Sequence, residues 1–284
     1  MIIDSHVHLF SPSVVANVSK RQDMVSLLRL EIHEAPRRSE PGVLASEARE
    51  AGLDAVLLLP TANAASIARV NQEFIREAGL YDRVFTAGTL HPVAGGIREE
   101  LERFREHKVR AVKICSFSQG FVLTDPDTLA MFREMAVFSR DRNYPLTVIL
   151  DTFALAHQYF HSDPTFTTTP DQVGFLVREF ADLNFVAAHM GGLCAPFDQV
   201  VNCLPPSRNL FLDTANGAHV LSRDEFVFLL RRHGPGHVLF GTDWPYFGFT
   251  QELALVDSLA EQAGFSAGDR DLLAGDNSRD LFLP

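Results

Sequence analysis

Short runs of β-branched and other apolar residues alternate along this chain with longer segments in which apolar residues recur at helical spacing. The runs at 2–6, 55–59, 84–90, 111–114, 146–150, 185–189, 210–213 and 238–242 predict eight strands. Between and after them, helical spacing predicts helices over 41–51, 62–78, 96–106, 127–142, 169–180, 198–204, 223–233, 251–263 and 270–282. Boundary residues agree. Ser222-Arg223-Asp224-Glu225 reads as a capping box, and Gly52, Gly79 and Gly264 stand where helices should stop. Eight strand-helix units are the arithmetic of a TIM-type (β/α)8 barrel, whereas an open doubly wound α/β sheet usually has about five to seven strands. The barrel is the expected fold.

Two connections, 9–40 and 151–168, are longer than the short loops typical of such units. Both follow strands, so both should rise over the C-terminal face, where barrel chemistry resides. The segment 9–40 is expected to form part of a lid and to bring Arg37 or Arg38 to the substrate. No internal repeat, low-complexity tract or flexible linker interrupts the pattern, which points to one domain over 1–284.

Composition narrows the partners. The 284 residues carry a formal net charge of −11, and basic residues cluster no further than pairs such as Arg37-Arg38 and Arg231-Arg232. That balance disfavours nucleic acid and anionic membranes as main partners. No apolar stretch approaches the roughly 18 residues of a spanning helix, and the opening residues do not read as a signal peptide. Cys115, Cys194 and Cys203 are an odd count without C-x-x-C spacing, which argues against both a disulfide framework and a thiolate metal cluster. A cytoplasmic protein acting on a small molecule is expected, with a homodimer as the possible assembly.

The chemistry gathers at predicted strand ends. The first strand closes with Asp4-Ser5-His6-Val7-His8, in which alternation puts both imidazoles on one face, converging inside a barrel. With 11 histidines, roughly 0.4 such pairs arise by chance, so the motif alone is weak. His189 ends the sixth strand and Asp243 the eighth. Closing the barrel would gather His6, His8, His189 and Asp243 into a histidine and carboxylate cluster with room for water, the composition of a catalytic zinc or manganese site. Taken singly, His189 could be a buried histidine bonding backbone, and Asp243 a turn residue before Trp244-Pro245.

These residues resemble the amidohydrolase superfamily, in its amidohydrolase-related or type 2 branch. The resemblance runs from Ile3-Asp4-Ser5-His6-Val7-His8 through Tyr81-Asp82-Arg83-Val84-Phe85, His189-Met190-Gly191-Gly192 and Gly241-Thr242-Asp243-Trp244-Pro245 to Gly275-Asp276-Asn277-Ser278-Arg279-Asp280-Leu281-Phe282. It implies a (β/α)8 barrel and a divalent metal on the strand-one histidines and the strand-eight aspartate. The implied reactions are hydrolysis or non-oxidative decarboxylation of small carboxylated or cyclic substrates. One departure stands out. Relatives usually carry a histidine ligand at the end of strand five, where this chain reads Leu150-Asp151-Thr152-Phe153. Asp151 is either a substitute ligand or a loop-capping or substrate-contacting residue; His157 and His161 are weaker substitutes.

Lys113, at strand four, has three readings: a carbamate bridging two metals, a cation holding a substrate carboxylate or an active-site acid, or a structural lysine. An ammonium inside a barrel would need a partner. His91, after strand three, is a candidate substrate contact. Asp213 ends strand seven, where it could orient His189 or substrate. His33, His107, His219, His233 and His237 read as surface or capping residues. The resulting expectation is a zinc-dependent hydrolase, with manganese as the alternative ion. Its substrate would be a small ester, lactone or amide bearing a carboxylate. His6, His8 and Asp243 would hold the ion, Asp243 would move the proton, and His189 would complete the metal shell or hold the oxyanion. Lys113, Asp151 and His91 would bind substrate. The rivals are a decarboxylase on the same barrel and a metal-free, non-catalytic barrel.

Overall fold

The computed structural model describes residues 1–283. Among the described residues, nine strands, β1 (Ile3–Val7), β2 (Ala55–Leu58), β3 (Val84–Thr86), β4 (Gly88–Thr89), β5 (Ala111–Ile114), β6 (Thr147–Leu150), β7 (Asn184–Ala187), β8 (Leu210–Asp213) and β9 (Val238–Leu239), follow one another in sequence order and pair in parallel, in one run from β1 to β3 and another from β4 to β9. They make eight barrel staves. The third, expected as one run over 84–90, is divided at Ala87: β3 pairs with β2, and β4 pairs with β5. Ala87 still donates to Leu58 O at 2.8 Å, so the stave bends from one neighbour to the other without losing the bond. Gly88 is required at this bend, because any side chain there would meet the buried ring of Phe104.

The barrel closes between β9 and β1 through backbone bonds beyond the end of β9. Ser5 donates to Phe240 O (2.9 Å), Asp243 to His6 O (3.0 Å) and His8 to Trp244 O (2.8 Å). Gly241 allows this approach, since a Cβ there would stand 2.8 Å from the His6 Cβ. A TIM-type (β/α)8 barrel is thus the architecture. No helix among the described residues is long and apolar enough to cross a membrane.

Alternation along each strand sorts the two faces of the wall. Outward residues such as Val112, Val148, Phe185 and Leu212 pack against helical Phe104, Phe132 and Phe138 in the largest core cluster. Inward residues Leu57, Leu59, Ala87, Ala111, Ile149, Val186, Phe211 and Leu239 form a separate apolar plug, which Phe282 of the C-terminal helix Asn277–Phe282 joins. That helix seals the N-terminal end of the barrel, where Arg110, just before β5, donates to Leu283 O (2.8 Å). Two residues further along the same inward register stand Lys113 after Ala111, Asp151 after Ile149, and Asp213 after Phe211. Polar side chains therefore crown an apolar plug at the C-terminal mouth.

The 9–40 connection is not a plain loop. It folds into helices Pro12–Ser19 and Gln22–Leu28 and a 3-10 turn at Arg37–Ser39. Ser11 caps the first helix and Pro12 opens it. Val15, Val18, Met24, Leu28 and Leu30 bury a shared apolar face against Phe153, Leu193, Tyr246 and Phe247 at the mouth, so the segment covers the C-terminal face as expected. Arg37 and Arg38 do not reach the substrate side. Arg38 is spent on Glu47 (2.9 Å) and Pro245 O (3.1 Å), while Arg37 lies exposed beside Glu34. The 151–168 connection likewise carries a short helix, Ala156–Phe160, and a 3-10 turn, Pro164–Phe166.

Candidate active site

His6 and His8 sit on and just beyond β1, both buried. Their outer ring nitrogens are committed. His6 Nδ1 donates to Asp213 Oδ2 (2.8 Å), and His8 Nδ1 donates to Leu59 O (3.2 Å). A carbonyl can only accept, and an ionised carboxylate likewise accepts a hydrogen bond from the ring N–H, so both rings carry hydrogen on Nδ1. Their bare Nε2 atoms then face each other at 3.1 Å. Two lone pairs aimed together at this distance repel unless a cation lies between them. Burial lowers the pKa of both rings and keeps them in the neutral, ligating form.

Asp243 completes the set. One ligand atom each from His6, His8 and Asp243 lies within 4.8 Å of the others, with Asp243 Oδ1 3.5 Å from His8 Nε2. Two imidazoles and a carboxylate, all buried, fit a divalent ion with open positions. Asp243 reaches this place through a left-handed backbone (φ 65°) four residues past the end of β9. The sequence pattern extends that strand to 242, but regular pairing ends at Leu239. His189 is similar: it stands two residues beyond β7 at φ 55°, with Met190 left-handed beside it. Each non-glycine residue in this region costs roughly 1–2 kcal/mol. Such strain concentrated at a barrel mouth is typical of functional positions.

Asp213 links the two halves of the site. Besides His6 Nδ1 it accepts from the backbone N–H groups of His189 (2.8 Å) and Ala215 (3.2 Å). His6, His189 and Asp213 also form a close trio. Both Asp213 oxygens are occupied, however, so this trio is a hydrogen-bonded support and not an open ligand set. Asp213 orients His6 and anchors the His189 backbone; it does not contact the His189 ring, which donates from Nδ1 to Ala215 O (2.9 Å). Asp4 performs a parallel task, accepting from His6 N, Thr242 N and Thr242 Oγ1 and so tying β1 to the segment that delivers Asp243. Burial pushes Asp4 up to about 7 against those bonds.

Lys113 points inward, fully buried, with Nζ 3.3 Å from Asp151 Oδ2. Asp151 Oδ2 lies 4.0 Å from His189 Nε2. Although burial opposes both charges, Lys113 and His189 hold Asp151 well below the usual carboxylate range, and Asp151 and Asp243 bring His189 up to about 9. Burial moves Asp243 upward, against the pull of His189. Asp151 is thus drawn into an ion pair and lies outside the convergent set of His6, His8 and Asp243. His157 and His161 do not line the cavity.

The cavity at the mouth is about 420 Å³, and His8, Lys113, Asp151, His189 and Asp243 form its inner end. Its outer wall comes from the lid (Val14, Val18, Met24, Leu28, Leu30) and from Phe10, Phe117, Phe153, Phe160 and Leu193. Cys115 and the unpartnered hydroxyl of Tyr246 also line it. Sequence reasoning did not single out Cys115, Tyr246 or the lid residues for this site. Tyr246 follows Asp243 by three residues, a proximity that could have flagged it. The structure does not bring His91 here. Its Nε2 donates to Gln119 O (3.0 Å) and its Nδ1 accepts from Val93 N (3.3 Å), so both ring nitrogens serve a neighbouring loop. Of the histidines read as surface or capping residues, His233 is buried without a partner, and His219 bonds the buried Glu252 (2.8 Å).

A parallel barrel with histidines and a carboxylate converging at its C-terminal mouth defines a class of barrel with the layout of a metal-dependent enzyme. The family is more specific. The amidohydrolase profile matches residues 3–283, and the chain belongs to that family, in its amidohydrolase-related branch. No curated protein matches the sequence. Among solved structures, the chain is similar to 5-carboxyvanillate decarboxylase from Sphingomonas paucimobilis (17% identity, 99% of this chain and 98% of that one, TM-score 0.69). It is also similar to a manganese-containing dihydroxybenzoic acid decarboxylase from Polaromonas sp. JS666 (15%, 99% and 96%, 0.69). A third is a probable 2-pyrone-4,6-dicarboxylic acid hydrolase from Acinetobacter baumannii with citric acid bound (16%, 99% and 98%, 0.62). At these identities the likeness is one of fold.

Proposed function

We propose that the protein is a metal-dependent hydrolase whose single divalent ion is held by His6, His8 and Asp243. The observation that carries this reading is the pair of bare Nε2 atoms 3.1 Å apart with Asp243 beside them. Zinc and manganese both suit two imidazoles and a carboxylate, and solved relatives of this fold contain manganese. When bound, the ion polarises a carbonyl and lowers the pKa of water toward about 7. The chain's own residues do the rest. Asp243 accepts the proton of the attacking water and passes it to the leaving group. His189, fixed through Nδ1, presents Nε2 to the oxygen on which negative charge develops. Lys113, with Asp151 beside it, holds the substrate's carboxylate or polarised oxygen. Asp213 and Asp4 keep His6 in register.

Non-oxidative decarboxylation is the second reading, supported by the fold shared with two aromatic decarboxylases. Here Lys113 and the ion would hold the carboxylate, and Asp243 would deliver the proton that replaces carbon dioxide. Purified protein should contain or take up close to one divalent ion per chain, and His6→Ala should hold almost none, as counted by elemental mass spectrometry. Wild type that stays metal-free in zinc and in manganese would sink both readings. Release of carbon dioxide from an aromatic acid without consumption of water would decide for the second.

A further inference from the structure

We infer, on the basis of the metal-centre reading above, that the substrate is an amphiphile: one anionic or polarised oxygen group at the metal end, an apolar ring or chain against the lid, and no second charged group. The cavity is two-sided. All its ionisable carboxylate, lysine and histidine side chains gather at the inner end, while the lid contributes Val14, Val18, Met24, Leu28 and Leu30. What polarity the rest of the wall has is neutral: the hydroxyls of Thr61, Ser118 and Tyr246 and the thiol of Cys115. Among the described residues no arginine lines the cavity.

The lid's arginines are used elsewhere. Arg21 lies over the Phe160 ring, 5.0 Å from its centroid, and donates to Tyr159 O and Asn17 O. Arg29 is exposed, and Arg38 serves Glu47 and Pro245 O. A second carboxylate placed against this wall would therefore leave water without gaining a cation. The inner end has no surplus for it either. Its cation, Lys113, already faces Asp151 at 3.3 Å, and His6 is taken up by Asp213, so one oxygen group at the ion's open positions is what this end accepts. This separates the protein from enzymes of the same fold that act on dicarboxylates.

The test is a binding series on the full-length protein, followed by calorimetry and by the fluorescence of its single tryptophan, Trp244. The probes are benzoate, 4-propylbenzoate, 4-hexylbenzoate and benzene-1,3-dicarboxylate. Each methylene should tighten binding roughly threefold to fourfold until the cavity is filled. The dicarboxylate should bind at least about tenfold more weakly than benzoate, as expected for an unpaired buried charge. In Val14→Asp, at a helix position 40% exposed, the gain per methylene should fall below that of the wild type. A flat alkyl series, or a dicarboxylate that equals or exceeds benzoate, overturns the inference. Metal content measured on the same samples keeps the two ideas apart. An alkyl preference in protein that takes up no metal would support the amphiphile and overturn the metal centre; a dicarboxylate preference in metal-loaded protein would do the reverse.

Discussion

Asp243 carries two duties in the proposed chemistry, as ligand and as proton carrier, and a conservative substitution separates them. Asp243→Asn keeps the shape and one oxygen donor but removes the basicity. Metal binding should weaken yet persist, while turnover falls about 10²- to 10⁴-fold. Metal titration alongside single-turnover kinetics checks this, and loss of metal in step with activity would show that the residue is a ligand only. Asp213 acts differently. It touches neither cavity nor ion but holds His6 Nδ1 at 2.8 Å. Asp213→Asn should reduce metal affinity by roughly 10- to 100-fold, the usual penalty for removing the partner of a ligating imidazole. Competition against a chelator of known affinity would measure it, and an unchanged affinity would contradict the orienting role.

At the scale of elements, the site depends on a close approach between β1 and the segment that follows β9. Gly241 is where the approach is tightest, with the His6 Cβ 2.8 Å from where a side chain would begin. Gly241→Ala should therefore destabilise the fold by about 1–3 kcal/mol, as overpacking does, and lower metal affinity by displacing His6. Denaturant unfolding with a parallel metal titration tests both halves; a stable variant with normal affinity would mean that the strands have slack. The lid is the second such element. It stands on its own apolar cluster against Phe153, Leu193 and Tyr246, apart from the main core. Its packing supplies the apolar side of the cavity.

For the molecule as a whole, His233 makes stability sensitive to acid. It ends the helix Arg223–His233, buried, with neither ring nitrogen bonded. Burial, reinforced by Arg232 and His237, pushes its pKa down to about 4 from an ordinary 6.5. Between these values the unfolded chain binds the proton and the folded chain does not. The contribution of His233 is therefore full above about pH 6.5 and falls as the pH drops toward 4, by roughly 2–3 kcal/mol over the window. His233→Phe should flatten this part of the curve, read as urea midpoints from pH 7 to pH 4. An unchanged slope would assign the acid sensitivity to other groups.

Much of this was legible in the chain. The eight staves follow from alternating runs because a strand buried on both faces must be apolar along its length, and their number already implied closure. His6 and His8 share a face by strand geometry, and the inward register carries Lys113, Asp151 and Asp213 with it. Other features were set by contacts distant in sequence. The break at Ala87 comes from the Phe104 ring seated on Gly88, and the placing of Asp243 and His189 comes from left-handed turns after the strands have ended. Nothing local distinguishes His91, which turns to Gln119, from Lys113, which turns to Asp151. Nor could periodicity show that Arg38 would be captured by Glu47 while Val18 and Leu28 faced the cavity. Local sequence determines which face a side chain leaves the backbone on; which partner it meets there is decided by closure of the barrel, because only closure brings residues 6, 213 and 243 within reach of one another.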